Sequence, residues 1–274
     1  MNNTRPEATI TIPVDPYNPG EFFACCGLLE LAHRLSQTGR HALGWFEGTH
    51  DSHFQFSINA LMAEATLDLT RLIDTLKQCQ LSTPAPDSKE GPVILGAPLE
   101  MTLDWRSPFP QNGIIKTFAG KQELFEIVQV LQQAILNVPS KEVTDSKILT
   151  IRTQTRKEVT AYGIEKAENA IDVGFSMDDQ KGRLFRHSLV FLEFFALIGA
   201  QRFCPCQGQD RFSRIYYTWQ IPLPAPLAAI AVSTPIQPLR PQGFTFQMYK
   251  RDPQGRYKGF APARKHIQTK GENK

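Results

Sequence analysis

The stretch ATITIPVDPYNPGEFFACCGLLELAHRLS, residues 8–36, decides the fold class. Ala8 to Val14 alternate apolar and polar residues with the period of a half-buried strand, and Pro13 marks one unpaired edge. Asp15-Pro16-Tyr17-Asn18-Pro19-Gly20 holds the residues that fix turn geometry. Glu21 then opens a helix, whose first turn favours negative charge, over about residues 21–36. Phe22, Phe23, Cys25, Cys26, Leu28, Leu29, Leu31, Ala32 and Leu35 cover much of its circumference, so it is expected to be largely buried. Gly27 costs helix propensity in its middle and predicts close packing against another element.

Working outward, two short strands are expected at 42–47 and 53–58, joined by the polar turn Gly48-Thr49-His50-Asp51-Ser52. Leu67, Leu69, Leu72, Ile73 and Leu76 mark an amphipathic helix over about 65–79. After a loop at 82–92, Met101, Leu103 and Trp105 alternate with Glu100, Thr102 and Asp104 as a strand at 99–105. The order β-α-β-β-α-β predicts an α+β fold with a ferredoxin-like (RRM-like) N-terminal unit, whose open sheet face is a frequent RNA platform.

A helical and irregular C-terminal part follows. A helix is expected at 119–137, then a long polar stretch at 138–182 with weak strand signals at 148–153 and 159–164. An apolar helix is expected at 183–200, a strand at 213–219 ended by the three prolines of 221–226, and a last strand at 244–249. The expected organisation is a ferredoxin-like unit at 1–110, a helix-containing part at 111–238 packed on it, and a basic extension at 239–274.

With 41% hydrophobic and 21% charged residues, the 274-residue chain has ordinary globular composition, which excludes wholesale disorder. Five cysteines, an odd number with most in apolar surroundings, argue against a disulfide framework and for a reducing, cytoplasmic setting. The N-terminus lacks a basic region followed by an apolar run, so no signal peptide is expected. The longest apolar run, Leu189 to Ala200, is interrupted by Glu193 and falls short of the roughly 20 residues that span a bilayer, so no membrane partner is expected. Charge is uneven. Nine basic against two acidic residues in 239–274 give +7, and the whole chain's +3 leaves −4 for the rest. Such a tail reads either as a solubilising end or as an arm that contacts nucleic-acid phosphates.

The segment Trp105 to Gln122 combines aromatics, glycines and lysines just before a helix. Helix N-termini and glycine backbone accept anions, and Lys116 and Lys121 add charge. It is not a nucleotide-hydrolysing loop, because Gly113 and Gly120 are too far apart and Gln122 stands in place of Ser or Thr. An ordinary loop with solvated lysines and a buried Trp is the other reading. A second basic and aromatic cluster holds Arg202, Phe203, Arg211, Phe212, Arg214, Tyr216, Tyr217 and Trp219. Strand alternation puts Arg214 and Tyr216 on one face, suited either to a splayed nucleotide or to ordinary core and surface roles.

Cys204-Pro205-Cys206 has no C-x-x-C partner to complete a zinc site, and Cys25 and Cys26 read as buried small hydrophobes, so neither metal nor cofactor is expected. His50-Asp51-Ser52-His53 reads as a solvated turn, and no hydrolase or zincin motif is present.

Four segments together resemble the Csb-type protein (Dpsyc-type) of type I-G, formerly I-U, CRISPR systems. They are VDPYNPGEFFACCGLLELAHRL (Val14 to Leu35), LDWRSPFPQNGIIKTFAGKQELFEI (Leu103 to Ile127), DVGFSMDD with FALIGAQRFCP (Asp172 to Asp179, Phe195 to Pro205), and TWQIPLP (Thr218 to Pro224). They lie in the family's order and are spread over residues 14–224. Two departures stand out: Arg106 follows Trp105 where a second aromatic is usual, and Lys121 stands where Gln is familiar.

The resemblance implies a large-subunit-like, non-catalytic component of the Cascade interference complex. Such a component binds guide RNA or target DNA, contacts other Cascade subunits, and receives a separate helicase-nuclease. The residues expected to touch nucleic acid are Trp105, Arg106, Lys116, Lys121, Arg202, Arg211, Arg214 and Tyr216. Two other readings stand beside it: a guide-RNA-processing endoribonuclease using His33, His53 or His187 as general base, and a scaffold without nucleic-acid contact.

Overall fold

Ile10–Pro13 (β1) buries Ile10 and Ile12 and turns Thr11 and Pro13 outward, as its alternation requires. The chain then reverses at Asp15, whose carboxylate accepts the Tyr17 N–H at 2.8 Å. Asn18 caps the helix Pro19–Leu35 (α1), its side-chain oxygen accepting the N–H groups of Gly20 at 2.9 Å and Glu21 at 3.4 Å. Pro19 takes the first helical position, where a missing N–H costs nothing, so α1 begins two residues before Glu21. The computed structural model describes residues 5–36, 41–48, 54–61, 66–84, 92–103, 124–155, 186–210, 212–250 and 258–267.

Leu43–Glu47 (β2) and Gln55–Asn59 (β3) pair antiparallel, and β3 also pairs antiparallel with β1. β1 and β2 therefore run the same way with β3 between them, and α1 makes the crossover. This order, β1-β3-β2, is that of three strands of the expected ferredoxin-like unit.

Leu69–Gln78 (α2) is capped by Asp68 and buries Leu69, Leu72, Ile73 and Leu76. The chain then departs from the expected unit. Leu81–Ser82 (β4), Val93–Leu95 (β5) and Met101–Leu103 (β6) form their own three-stranded sheet, so the strand expected to flank β1 pairs with β5 instead. The outer edge of β1 is already engaged: the Asp145 carboxylate accepts the Thr11 N–H at 2.7 Å, and burial pushes that carboxyl above its ordinary pKa.

Leu124–Leu136 (α3) buries Leu124, Ile127, Val128, Leu131 and Ile135. Its buried Gln132 donates to the carbonyls of Leu76 at 3.2 Å and Cys79 at 2.7 Å, satisfying acceptors at the end of α2. Residues Ile148–Thr150, expected as strand, form a 3-10 turn. Thr153–Thr155 (β7) follows and pairs with Arg186–Ser188 (β8). That pairing keeps 186–188 extended, so the apolar helix begins at Val190 and runs to Arg202 (α4) rather than starting at 183.

Every residue of α4 from Val190 to Ala200 is buried, and α1 lies against it. Gly27 and Gly199 set this contact reciprocally. A Cβ on Gly27 would stand 2.0 Å from the Phe195 carbonyl oxygen, and one on Gly199 would stand 2.0 Å from that of Phe23. The close packing expected of Gly27 is thus backbone against backbone.

Cys206–Gln207 (β9), Ser213–Thr218 (β10), Gln242–Lys250 (β12) and Lys258–Phe260 (β13) make a second large sheet in the order β13-β12-β10-β9. Arg264–Lys265 (β14) pairs with the first half of β12. Between β10 and β12, Leu223–Pro224 (β11) pairs with β2 and so extends the first sheet. Ala225–Ser233 (α5) follows, with Pro226 in its first turn, a helix that the prolines of this stretch hid.

Trp219 joins the two sheets. Its indole N–H donates to the Gly44 carbonyl at 2.7 Å, and its own carbonyl accepts the Phe46 N–H at 2.8 Å. Among the described residues one apolar core runs from Ile10 to Ala263 and includes Phe244, Phe246, Met248 and Phe260. Residues on both sides of 110 and 238 belong to this core, and residues 242–265 supply three strands of the second sheet.

Candidate nucleic-acid interface

Trp105, Arg106, Lys116, Lys121 and Arg211 lie outside the described residues, as do His50 and His53. Of the remaining expected contacts, Arg214 and Tyr216 share one face of β10, and Arg202 belongs to a separate group.

β10 carries Arg214 and Tyr216 on one face, as alternation requires, but that face looks into the core. Its register sets Arg214 opposite Phe246 and Tyr216 opposite Phe244. The Tyr216 ring is wholly buried, stacked on Phe22 with centroids 4.1 Å apart and on Phe244 at 5.5 Å. Its hydroxyl donates to the Pro16 carbonyl at 2.6 Å, and burial pushes the phenol well above its ordinary pKa. Arg214 is buried beside it and donates to the Ser213 carbonyl at 2.8 Å. Tyr216 therefore offers no ring face to a nucleotide, which corrects the expectation of a stacking surface here. Phe244 and Phe246 on the next strand were the sequence signal for a core face.

Arg202, at the end of α4, belongs to a different group. Glu30 is only 2% exposed on the largely buried α1, so a carboxylate there requires partners. Its Oε1 accepts from Arg34 Nε at 2.8 Å and from Arg202 Nη2 at 3.1 Å. Arg202 Nε lies 3.0 Å from Oε2, an ion contact outside hydrogen-bond geometry. Arg34 Nη1 donates to the carbonyls of Leu99 at 3.4 Å and Glu100 at 3.0 Å, so the cluster ties α1 and α4 to the turn before β6.

One helical position before Arg34, His33 faces His41 with ring centroids 5.2 Å apart. Burial lowers the His33 pKa. Glu30 opposes that shift, while His41, Arg202 and Arg34 add to it. Sequence reading missed this group, although a glutamate four residues before an arginine on a greasy helix was its signal.

The C-terminal strands hold a second set of cations. Arg264 and Lys265 on β14 are exposed, and Arg240 is exposed with left-handed backbone, φ 51°. His266 fixes the end of β14: its N–H donates to the Gly243 carbonyl at 2.8 Å, and its Nδ1 is hydrogen-bonded to the Thr245 hydroxyl at 3.0 Å.

The cysteines divide by depth. Cys25 and Cys26 are fully buried, their thiols pushed well above the ordinary pKa by burial, which makes them packing groups rather than nucleophiles. Cys206 Sγ is 3.4 Å from the Ile215 carbonyl oxygen, and burial also raises the Cys204 pKa. Among the described residues no three His, Cys, Asp or Glu side chains gather as metal ligands, and no helix is long and apolar enough to cross a membrane. Comparison of the chain with protein-family models, with curated proteins and with solved structures finds no match.

Proposed function

We propose that this chain is a non-catalytic, cytoplasmic subunit of a type I-G CRISPR interference complex, large-subunit-like, that binds guide RNA or target DNA and helps recruit the helicase-nuclease. The observation that carries the reading is the mounting of Arg264 and Lys265. Both are exposed on an edge strand that is hydrogen-bonded to β12 and anchored by His266. Cations held on a sheet contact phosphate at a smaller entropic cost than the same residues on a loose tail.

Two further features support it. The segments that carry the family resemblance around α1, α4 and Trp219 build one interlocked core, as fold-defining motifs would. The order β1-β3-β2 is compatible with a ferredoxin-like ancestry for the first sheet. A second reading, guide-RNA processing, is favoured by one observation: His33 stands beside His41, with Arg34 and Arg202 acting on it. Metal-independent RNA cleavage lost in His33→Ala would establish that reading.

The test is co-purification of the tagged chain with its neighbouring CRISPR proteins and guide RNA, for wild type and for Arg264→Glu/Lys265→Glu, followed by target-DNA binding across a salt series. The reading predicts association by both forms and weaker, less salt-dependent binding by the double variant. A chain that stays alone would contradict it.

A further inference from the structure

We propose that the two guanidinium groups gathered by Glu30, with the imidazoles of His33 and His41 beside them, form a binding site for one phosphodiester group of a nucleic-acid backbone. This rests on the reading of the chain as a nucleic-acid-binding subunit and names a contact that reading does not supply.

Charge comes first. One carboxylate faces two guanidinium groups, so the cluster carries a net positive charge even with both histidines neutral. Glu30 is buried, but the Arg202 side chain is 41% exposed and that of Arg34 27%, so the excess charge lies on the solvent side.

Donors come next. Arg202 turns Nε and Nη2 to Glu30, and no hydrogen bond from the described residues engages its Nη1. Arg34 turns Nε to Glu30 and Nη1 to two carbonyls, which leaves its Nη2 likewise unengaged among the described residues. Each guanidinium thus keeps one terminal nitrogen unengaged while a carboxylate and carbonyls fix it from behind, and charged donors held in place are pre-organised for an anion.

The histidines then make the site responsive to pH. The charged and titratable groups acting on His33 are Glu30 and Arg34 from α1, Arg202 from α4, and His41 from the segment entering β2. His33 Nδ1 is buried with no hydrogen-bond partner among the described residues, so protonating the ring is unfavourable until an anion arrives. A phosphodiester keeps its charge throughout the range in which histidine titrates. Protonation of His33 as the anion binds therefore raises its pKa and makes affinity rise as pH falls.

The experiment follows the His33 and His41 ring protons by NMR in the full chain between pH 8 and 5. The additions are the dinucleotide UpU, uridine and inorganic phosphate. The proposal expects UpU to raise the His33 pKa, with affinity rising about tenfold for each unit of rise, and expects uridine to leave it unchanged. Inorganic phosphate matching UpU at equal charge would assign the site to free phosphate and overturn the backbone assignment. Arg202→Lys, whose single nitrogen cannot hold Glu30 and also present a second nitrogen to the anion, should weaken UpU binding. His33→Gln should flatten the pH dependence, and unfolding curves confirm that the variant keeps its fold.

UpU binding that is absent, or unchanged from pH 8 to 5, would overturn the proposal. If it fails while Arg264→Glu/Lys265→Glu still weakens target binding by the assembled complex, only the Glu30 cluster is misassigned. If both fail, the nucleic-acid reading goes with it.

Discussion

Gly27→Ala separates two opposing expectations. By helix propensity alone the change stabilises α1 by about 1 kcal/mol. The geometry says otherwise, because the added methyl would stand 2.0 Å from the Phe195 carbonyl oxygen, whereas a carbon and a carbonyl oxygen rest at about 3.3–3.6 Å. The obstacle is helix backbone, which cannot turn aside as a side chain can, so α1 and α4 must part by roughly 1.5 Å. Both helices lie in the core, and the separation opens space along buried phenylalanines and leucines. Overpacking in a core costs about 1–3 kcal/mol, and a backbone clash between central helices belongs at or above the upper end. After the propensity gain, a net loss of about 2 kcal/mol or more remains, a fall in Tm of about 4 °C or more for a chain of this size. Thermal unfolding by circular dichroism measures it, with Gly199→Ala as the reciprocal variant and Gln133→Ala on the exposed face of α3 as control. A Gly27→Ala protein as stable as wild type would refute the interlock.

Tyr216→Phe removes the hydroxyl donated to the Pro16 carbonyl and should cost about 1–2 kcal/mol in urea unfolding while leaving nucleic-acid affinity unchanged; lost affinity at full stability would return Tyr216 to the binding surface. Glu30→Gln leaves two partly exposed guanidinium groups without their counter-charge and should destabilise the chain by about 2 kcal/mol, read by the same unfolding curves. Asp145 gives a pH test. Its folded pKa is raised, so the favourable state is present below the unfolded pKa and is lost as pH rises through the folded value. Asp145→Asn, whose amide oxygen still accepts the Thr11 N–H, should therefore raise Tm at pH 7 and change it little at pH 3; an equal shift at both pH values would remove burial as the cause.

Local signals in the sequence held up where one element decides its own form. The alternation of residues 8–14, the turn at 15–20 and the apolar faces of α1, α2 and α3 all correspond to elements within a few residues. Gly27 even announced its close contact, because a glycine inside a buried helix needs a packing reason. Partner choice was not legible. Nothing in Met101–Leu103 says that it pairs with β5 rather than β1, since that depends on Asp145 reaching the β1 edge from far along the chain. Likewise a strand segment at 186–188 shortened α4, and Pro226, which stops a strand, also sits comfortably in a first helical turn.

The site was harder still. Alternation correctly put Arg214 and Tyr216 together but could not say which face was covered, and Phe244 and Phe246 on a later strand settle it. Arg202 found its carboxylate across the contact of two helices, 172 residues away in sequence, a pairing no local pattern records.

The central claim is that this chain is a working part of a guide-RNA complex. The most direct measurement is target-DNA binding by the reconstituted complex with this chain present, omitted, or replaced by Arg264→Glu/Lys265→Glu. The account predicts that omission abolishes high-affinity binding and that the double variant restores it only in part, with a salt slope shallower by about 1.8 for two lost duplex phosphate contacts. A complex that binds its target equally well without the chain would contradict the account.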